Sequence, residues 1–181
     1  MTTSRLGRQI AEIISALNRE NIRFALIGGL ALAAHNVVRA TQDVDVLIGA
    51  TDADRLEGVL VGLGYRRLHR NADASNYLRE DERLDVLYAS RPTAMNLLSK
   101  APMESTAFGM LPVIGTEGLI GFKLQALINN PRRTQDLEDI RALMHANRAT
   151  LDMHEVREYF RMFEREALLD EILHENSRTT I

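Results

Sequence analysis

Two aspartates stand one residue apart inside an apolar run, DVDVLI at residues 43–48. Alternate residues of a β-strand face the same side of the sheet, so Asp43 and Asp45 would share one face about 7 Å apart. Burying two uncompensated like charges is costly, whereas such a pair suits a hard cation such as Mg²⁺ together with phosphate oxygens and waters. The pair therefore indicates a metal site; two acids exposed at a strand end are the alternative.

A third aspartate has a similar setting. Asp85 lies between Leu84 and Val86 in RLDVLY, a second apolar segment with the character of a strand. If this strand neighbours residues 43–48, three carboxylates converge, which is the arrangement that two-metal phosphoryl or nucleotidyl transfer requires. An ion pair between Asp85 and Arg83, or another neighbour, is the simpler alternative.

A glycine pair, Gly28 and Gly29, separates the strand-like RFALI from the small-residue segment LALAAHNVV. Glycines between a strand and a helix allow backbone N–H groups to approach phosphate oxygens. Alone, the pair is equally typical of an ordinary turn, and it is the combination with the aspartates that indicates a triphosphate site. Arg39, shortly before the aspartates, could reach a phosphate or balance local charge.

These residues require a sheet to position them. Apolar spacing and turn residues predict strands at 23–27 and 43–48, a strand meander at 65–88, a hairpin at 104–114 turning at Gly109, and helices at 6–17, 30–38, 51–64, 92–98, 115–129, 134–147 and, as two helices, 151–173. We expect an α+β chain with a small mixed sheet flanked by helices. It would form one domain over 1–175, with a sheet-bearing core at 1–114, a helical part at 115–175 and a disordered tail at 176–181.

Bulk composition excludes several classes of protein. With 45% hydrophobic residues among 181 the chain can build a core, and without cysteine it has no disulfide or thiolate metal site. No run approaches the ~20 apolar residues of a membrane span, and the first residues do not resemble a signal peptide, so we expect a cytoplasmic protein with no membrane partner. The net charge of −3 does not itself indicate nucleic acid.

One basic strand, YRRLHR at 65–70, is the local exception. Strict alternation would put Arg66 and Arg70 on one face and Arg67 and His69 on the other. A solvated edge strand is the simpler interpretation, and a polyanion-binding patch the alternative.

The order of strand, Gly-Gly, short helix and Asp-x-Asp resembles the nucleotidyltransferase signature of the polymerase β-like superfamily. The segment GGLALAAHNVVRATQDVDVLI resembles the corresponding segment of small bacterial proteins of the AbiEii type, which include toxins of toxin–antitoxin pairs. The later segment GLIGFKLQALINNPRRTQDLEDIRAL is similar to that group's lysine-bearing helix and the aspartate-containing helix after it.

This resemblance implies a nucleotidyltransferase fold and a set of roles. Gly28 and Gly29 would hold the triphosphate of an NTP. Asp43 and Asp45 would bind two Mg²⁺ or Mn²⁺ ions. Asp85 would bind the catalytic metal and help to deprotonate the attacking hydroxyl.

The resemblance also implies roles nearer the C-terminus. Lys123 would face the triphosphate, and Asp136, or alternatively Asp139, would be the last acidic position turned toward the site. A purely structural salt bridge among these residues is the other interpretation. The chain departs from the pattern at Gly29, where many active relatives have Ser, and at Asn36, where the toxin-like pattern has Gly.

The resulting prediction is a metal-dependent enzyme that moves an NMP from an NTP to an acceptor hydroxyl and releases pyrophosphate. The acceptor would be an RNA such as tRNA, a protein or a small molecule. If the chain is a toxin, it would also have an antitoxin partner. The alternative is a catalytically inactive nucleotide-binding or protein-interaction module with the same fold.

Overall fold

Alternating apolar residues build a five-stranded mixed sheet in the computed structural model, which describes residues 4–178. The strands are β1 (Phe24–Leu26), β2 (Val44–Gly49), β3 (Arg66–Arg70), β4 (Ala74–Arg79) and β5 (Glu82–Ala89). Their spatial order is β1-β2-β5-β4-β3, and only the central β2–β5 pair is parallel. A separate hairpin consists of β6 (Met103–Thr106) and β7 (Gly109–Pro112).

The register of the central pair decides how the acids meet. Asp45 of β2 is the direct partner of Asp85 of β5. The sequence prediction that these two strands are neighbours is confirmed, and so is the α+β class with a small mixed sheet. Directly paired residues point to the same face of a sheet. The two carboxylates therefore emerge side by side.

Chain contacts divide the molecule into two units, of which the first contains the sheet. It runs to Ala34 and resumes over Arg39–Ile114. Its helices are α1 (Arg5–Arg19), α2 (Gly28–Ala34), α3 (Ala53–Gly62) and α4 (Pro92–Lys100), with a 3₁₀ turn at Ala50–Asp52.

Apolar residues on one face of the sheet pack under α1 and α3. Tyr77, Leu84 and Val86 are fully buried there. Arg79 of β4 reaches Glu12 of α1 on this side. We call this the covered face, and the face that carries Asp45 and Asp85 the open face.

The second unit comprises His35–Val38 and the chain from Gly115 onward. Its helices are α5 (Thr116–Asn129), α6 (Thr134–Ala146), α7 (Met153–Met162) and α8 (Glu166–Arg178). A Cβ placed on Gly121 would lie 3.0 Å from the Tyr159 ring, so this glycine allows α5 and α7 to approach closely. Among the described helices none is both long enough and apolar enough to cross a bilayer.

Three local predictions need correction. The helix predicted at 30–38 is instead α2, which ends at Ala34, because Asn36 adopts a left-handed φ of 64°. The hairpin predicted to turn at Gly109 turns just before it, and Gly109 is the first residue of β7. Helix α8 includes residues 176–178, which were assigned to a disordered tail; residues 179–181 of that tail lie outside the described part.

Candidate active site

The glycine turn and Asp45 are packed directly against each other. Gly28 follows β1 with a φ of +63°, a region that other residues rarely adopt. A Cβ placed on Gly28 would lie 2.1 Å from Oδ2 of Asp45, so the carboxylate occupies the space of a side chain. The backbone N–H of Ile27 donates to the carbonyl oxygen of Asp45 at 3.1 Å. Only glycine can adopt this left-handed φ readily and leave the space for the carboxylate, so only glycine fits at position 28.

The second glycine is matched to Thr41. A Cβ on Gly29 would lie 2.8 Å from Thr41 Cβ and 2.9 Å from its Oγ1. The Thr41 hydroxyl also donates to the carbonyl oxygen of Asp43 at 3.3 Å. A serine at position 29 would therefore collide with Thr41. The missing serine is visible in the sequence, but the contact with Thr41, which occupies its space, depends on the fold.

The three predicted acids lie in the first unit on one side of the sheet. Asp43 immediately precedes β2, and Asp43, Asp45 and Asp85 are all half-buried. In the part of the chain that the structure describes, no group of three or more acidic or histidine side chains is close enough to hold a metal ion as it stands. The donor chemistry fits Mg²⁺, because the two carboxylates paired across β2 and β5 supply the hard oxygen ligands it prefers.

Asn76 is a site residue that sequence reasoning missed. It is the β4 partner of Asp85, and its Nδ2 donates to Asp85 Oδ1 at 2.7 Å. This amide takes the place of the ion pair with Arg83 that the sequence left open. The signal in the sequence was a polar residue near the start of the strand-like segment SNYLRE. Its importance depends on the register between β4 and β5.

Arg39 lies in the irregular segment between α2 and β2. It is half-buried and belongs to the first unit, four residues before Asp43. Its predicted contact with a phosphate stays a prediction.

Lys123 forms a buried ion cluster inside the second unit. Its Nζ lies 3.1 Å from Asp136 Oδ1 and 2.6 Å from Asp139 Oδ2. Arg133 Nε lies 2.5 Å from the other oxygen of Asp136, and Gln135 donates to Asp139. This geometry is the structural salt bridge that the sequence left open. The roles of Lys123 and Asp136 toward a triphosphate stay predictions.

The basic strand β3 does not alternate as expected. A bulge between Arg67 and His69 shifts the register, so Arg67 pairs with Tyr77 and His69 with Asn76. Arg67 and Arg70 consequently share the covered face, where both donate to Glu57. The predicted pairing of Arg66 with Arg70 on one face is wrong because one extra residue interrupts the strand.

Comparison with protein families agrees with this arrangement. The model of a family described as uncharacterised nucleotidyltransferases matches residues 1–106, which include the glycine turn, the three aspartates and Asn76. The chain belongs to this nucleotidyltransferase family and is a transferase by class. A comparison with curated protein sequences found no match.

Solved structures with the same fold include an antibiotic-resistance factor and an antibiotic adenylyltransferase. The solution structure of the antibiotic-resistance factor ANT(2″)-Ia is similar, with a TM-score of 0.73 and 20% identity over 96% of this chain and 100% of that one. A crystal structure of ANT(2″)-Ia with adenylyl-2″-tobramycin gives a TM-score of 0.72 at 19% identity, covering 91% and 99%. The lincosamide adenylyltransferase LnuA, bound to lincomycin, gives 0.55 at 14% identity, covering 79% and 98%.

Proposed function

We propose that the protein transfers a nucleoside monophosphate from an NTP to an acceptor hydroxyl, with release of pyrophosphate. The observation that carries this proposal is the packing of Asp45 between the bare Cα of Gly28 and the paired strand that bears Asp85. Such packing brings a turn suited to phosphate and two carboxylates together. Few functions other than handling a metal-bound phosphate require both.

Each residue of the turn has a role in binding. Gly28 and Gly29 expose backbone N–H groups to the triphosphate, because neither carries a side chain that could block its approach. Thr41 holds the segment that leads into Asp43 against Gly29. Arg39, four residues before Asp43, supplies positive charge to the phosphates.

Asp43, Asp45 and Asp85 would hold two Mg²⁺ or Mn²⁺ ions. Bound there, the ions would neutralise the negative charge on the phosphates. The chain has no cysteine, so thiolate ligands are excluded at these positions.

Asp85 accepts the proton of the acceptor hydroxyl as that oxygen forms its bond to the α-phosphorus. The bond between the α-phosphorus and the bridging oxygen breaks, and its electrons leave with pyrophosphate. Asn76 holds Asp85 Oδ1 through its amide, which leaves Oδ2 available for the hydroxyl. Correct positioning of such a base is worth roughly a hundredfold to ten-thousandfold in rate.

A small-molecule acceptor is favoured by the structural neighbours. ANT(2″)-Ia carries an adenylyl-tobramycin product, and LnuA is an adenylyltransferase that binds lincomycin. These also favour ATP as the NTP. An RNA or protein acceptor remains a prediction. A role as a toxin with an antitoxin partner, and contacts of Lys123 and Asp136 with the nucleotide, rest on the AbiEii resemblance and also remain predictions.

A second candidate is a nucleotide-binding or protein-interaction module without catalysis. It is favoured by one observation: the described acids do not form a ready cluster of three metal ligands. Under this alternative the fold and the glycine turn persist, but the substitution of an aspartate has no functional consequence.

Thermal unfolding with each of the four NTPs, with and without Mg²⁺ or Mn²⁺, tests the proposal. A ligand at about one hundred times its Kd stabilises a protein by about 2.7 kcal/mol. We expect metal-dependent stabilisation by ATP in the wild type and its loss in Asp45→Asn. Stabilisation that survives unchanged in Asp45→Asn, or is absent for every NTP, would contradict the proposal.

A further inference from the structure

The arginines of the sheet fall into two groups. On the covered face, Arg67 and Arg70 donate to Glu57 at 2.7 Å each, and Arg70 also reaches Asp54. Arg70 and Arg67 together hold the pKa of Glu57 below its usual range. Arg79 donates on the same face to two further carboxylates. Each of these guanidinium groups is neutralised within the protein.

The open face has two arginines in a different situation. Arg66 of β3 and Arg83 of β5 both pair with Leu78 of β4, so the three form one row across the sheet. Both arginines are exposed. Within residues 4–178 neither guanidinium has a hydrogen-bond or ion-pair partner.

This row lies beside the candidate site. The next row on the same face is His69, Asn76, Asp85 and Asp45. Arg83 and Asp85 are two residues apart on one strand, about 7 Å, and Arg66 is two strands away from Arg83, about 10 Å. On strands β2 to β5 this face carries no carboxylate apart from Asp45 and Asp85.

Apolar side chains fill the rest of this surface. Ala74, Leu78 and Leu87 point to the open face and remain partly exposed, whereas Tyr77 and Leu84 on the other face are buried. The surface therefore combines two unpaired cations with a modest apolar area.

The position of the surface assigns it to the acceptor. The glycine turn packs against Asp45 at the β1–β2 side of the sheet, so the triphosphate occupies that side. In nucleotidyl transfer the attacking and leaving oxygens lie roughly in line across the α-phosphorus. The acceptor must then approach Asp85 from the opposite side, over β4 and β3, where Arg83 and Arg66 stand.

Resting on the proposed function, we infer that the acceptor is a small molecule that carries an anionic group, such as a phosphate or carboxylate, next to an apolar portion. The anion binds between Arg66 and Arg83, and the apolar portion packs on Leu78 and Leu87. A polycation such as tobramycin would meet two unpaired arginines and is disfavoured by like-charge repulsion. Two cations about 10 Å apart suit one anionic group better than an extended nucleic-acid backbone.

Transfer from α-³²P-labelled ATP with Mg²⁺ tests this inference. The small molecules of a deproteinised bacterial extract are separated by ion exchange into anionic, neutral and cationic pools, with tobramycin and total RNA as further arms. We expect label to move to the anionic pool. Transfer only to the neutral pool, the cationic pool, tobramycin or RNA would overturn the inference.

The failure of the inference can be told from the failure of the proposed function. If no arm accepts label but ATP with Mg²⁺ stabilises the protein against unfolding, the small anionic acceptor is wrong and the nucleotide site stands. If ATP does not stabilise the protein either, the proposed function itself fails.

Charge reversal adds a test that depends on the arginines themselves. Arg66→Glu with Arg83→Glu should raise the amount of anionic pool that gives half-maximal transfer about tenfold, because each charge-assisted contact is replaced by repulsion. Arg23→Glu, a single reversal of the same kind at an exposed position before β1, should leave transfer unchanged. A double variant within about twofold of the wild type, with the same unfolding temperature, would refute the assignment.

Discussion

The two faces of the five-stranded sheet handle charge in opposite ways. On the covered face each arginine is paired with carboxylates from α1, α3 or the sheet itself, above a buried apolar layer. The open face carries the half-buried aspartates, the Asn76 amide and two arginines, Arg66 and Arg83, whose guanidinium groups have no partner among residues 4–178. Both faces belong to the same strands, so the arginines differ in their partners and not in the strands that carry them. The charges of the covered face are matched within the fold, whereas we propose that those of the open face serve ligands.

The largest effect should follow from Asp85→Asn on the open face. Loss of the base and of a metal-binding carboxylate should lower the rate of transfer about a thousandfold. Asp54→Asn, which removes the carboxylate facing Arg70 on the covered face, is the matched control and should keep full activity. Both rates are measured as pyrophosphate release. Equal rates in the two variants would remove the functional difference between the faces.

A large combined effect is expected for Gly28→Ala. Position 28 has a left-handed φ, which a residue with a Cβ disfavours, and the new Cβ would displace the Asp45 carboxylate. We therefore expect a loss of about 1–3 kcal/mol in the free energy of unfolding together with most of the NTP-dependent stabilisation. Gly58→Ala in α3 has open space around it and should stabilise the fold by about 0.5–1 kcal/mol. Urea denaturation with and without ATP measures both. An active, fully stable Gly28→Ala would show that the turn does not need its observed geometry.

Gly29→Ser should lower activity rather than raise it, by about tenfold, because the side chain collides with Thr41 and moves the segment before Asp43. Adding Thr41→Ala makes room for the serine, so the double variant should recover part of the activity. Steady-state rates of the two single variants and the double variant decide this. Higher activity in Gly29→Ser alone would mean that this chain lacks a hydroxyl that it needs.

The smallest effect separates the two classes of arginine. Arg79→Ala removes contacts to Glu12, Glu82 and the Leu63 carbonyl and should cost about 1–2 kcal/mol of unfolding free energy. Arg66→Ala should change that free energy by less than about 0.5 kcal/mol. Equilibrium urea denaturation checks both values. A destabilised Arg66→Ala would indicate a structural role on the open face.

The sequence predicted the elements well and their detailed contacts poorly. Asp45 and Asp85 could be assigned to neighbouring strands because each sits in a short apolar run, and Gly28 because glycine marks a turn between a strand and a helix. Asn76 and Thr41 could not be found in this way, since their roles depend on strand register and on a close approach between distant segments. The bulge in β3 reversed the faces of its arginines, because a single inserted residue breaks the alternation on which the prediction depended.

We propose that the open face catalyses cleavage between the α- and β-phosphates of ATP, and the phosphorus products distinguish this reaction from any other use of ATP. The protein is incubated with ATP, Mg²⁺ and the small-molecule extract, and the phosphorus products are separated. We predict pyrophosphate and an AMP-linked acceptor, both abolished in Asp85→Asn. Orthophosphate and ADP, or bound ATP that is never cleaved, would contradict the account.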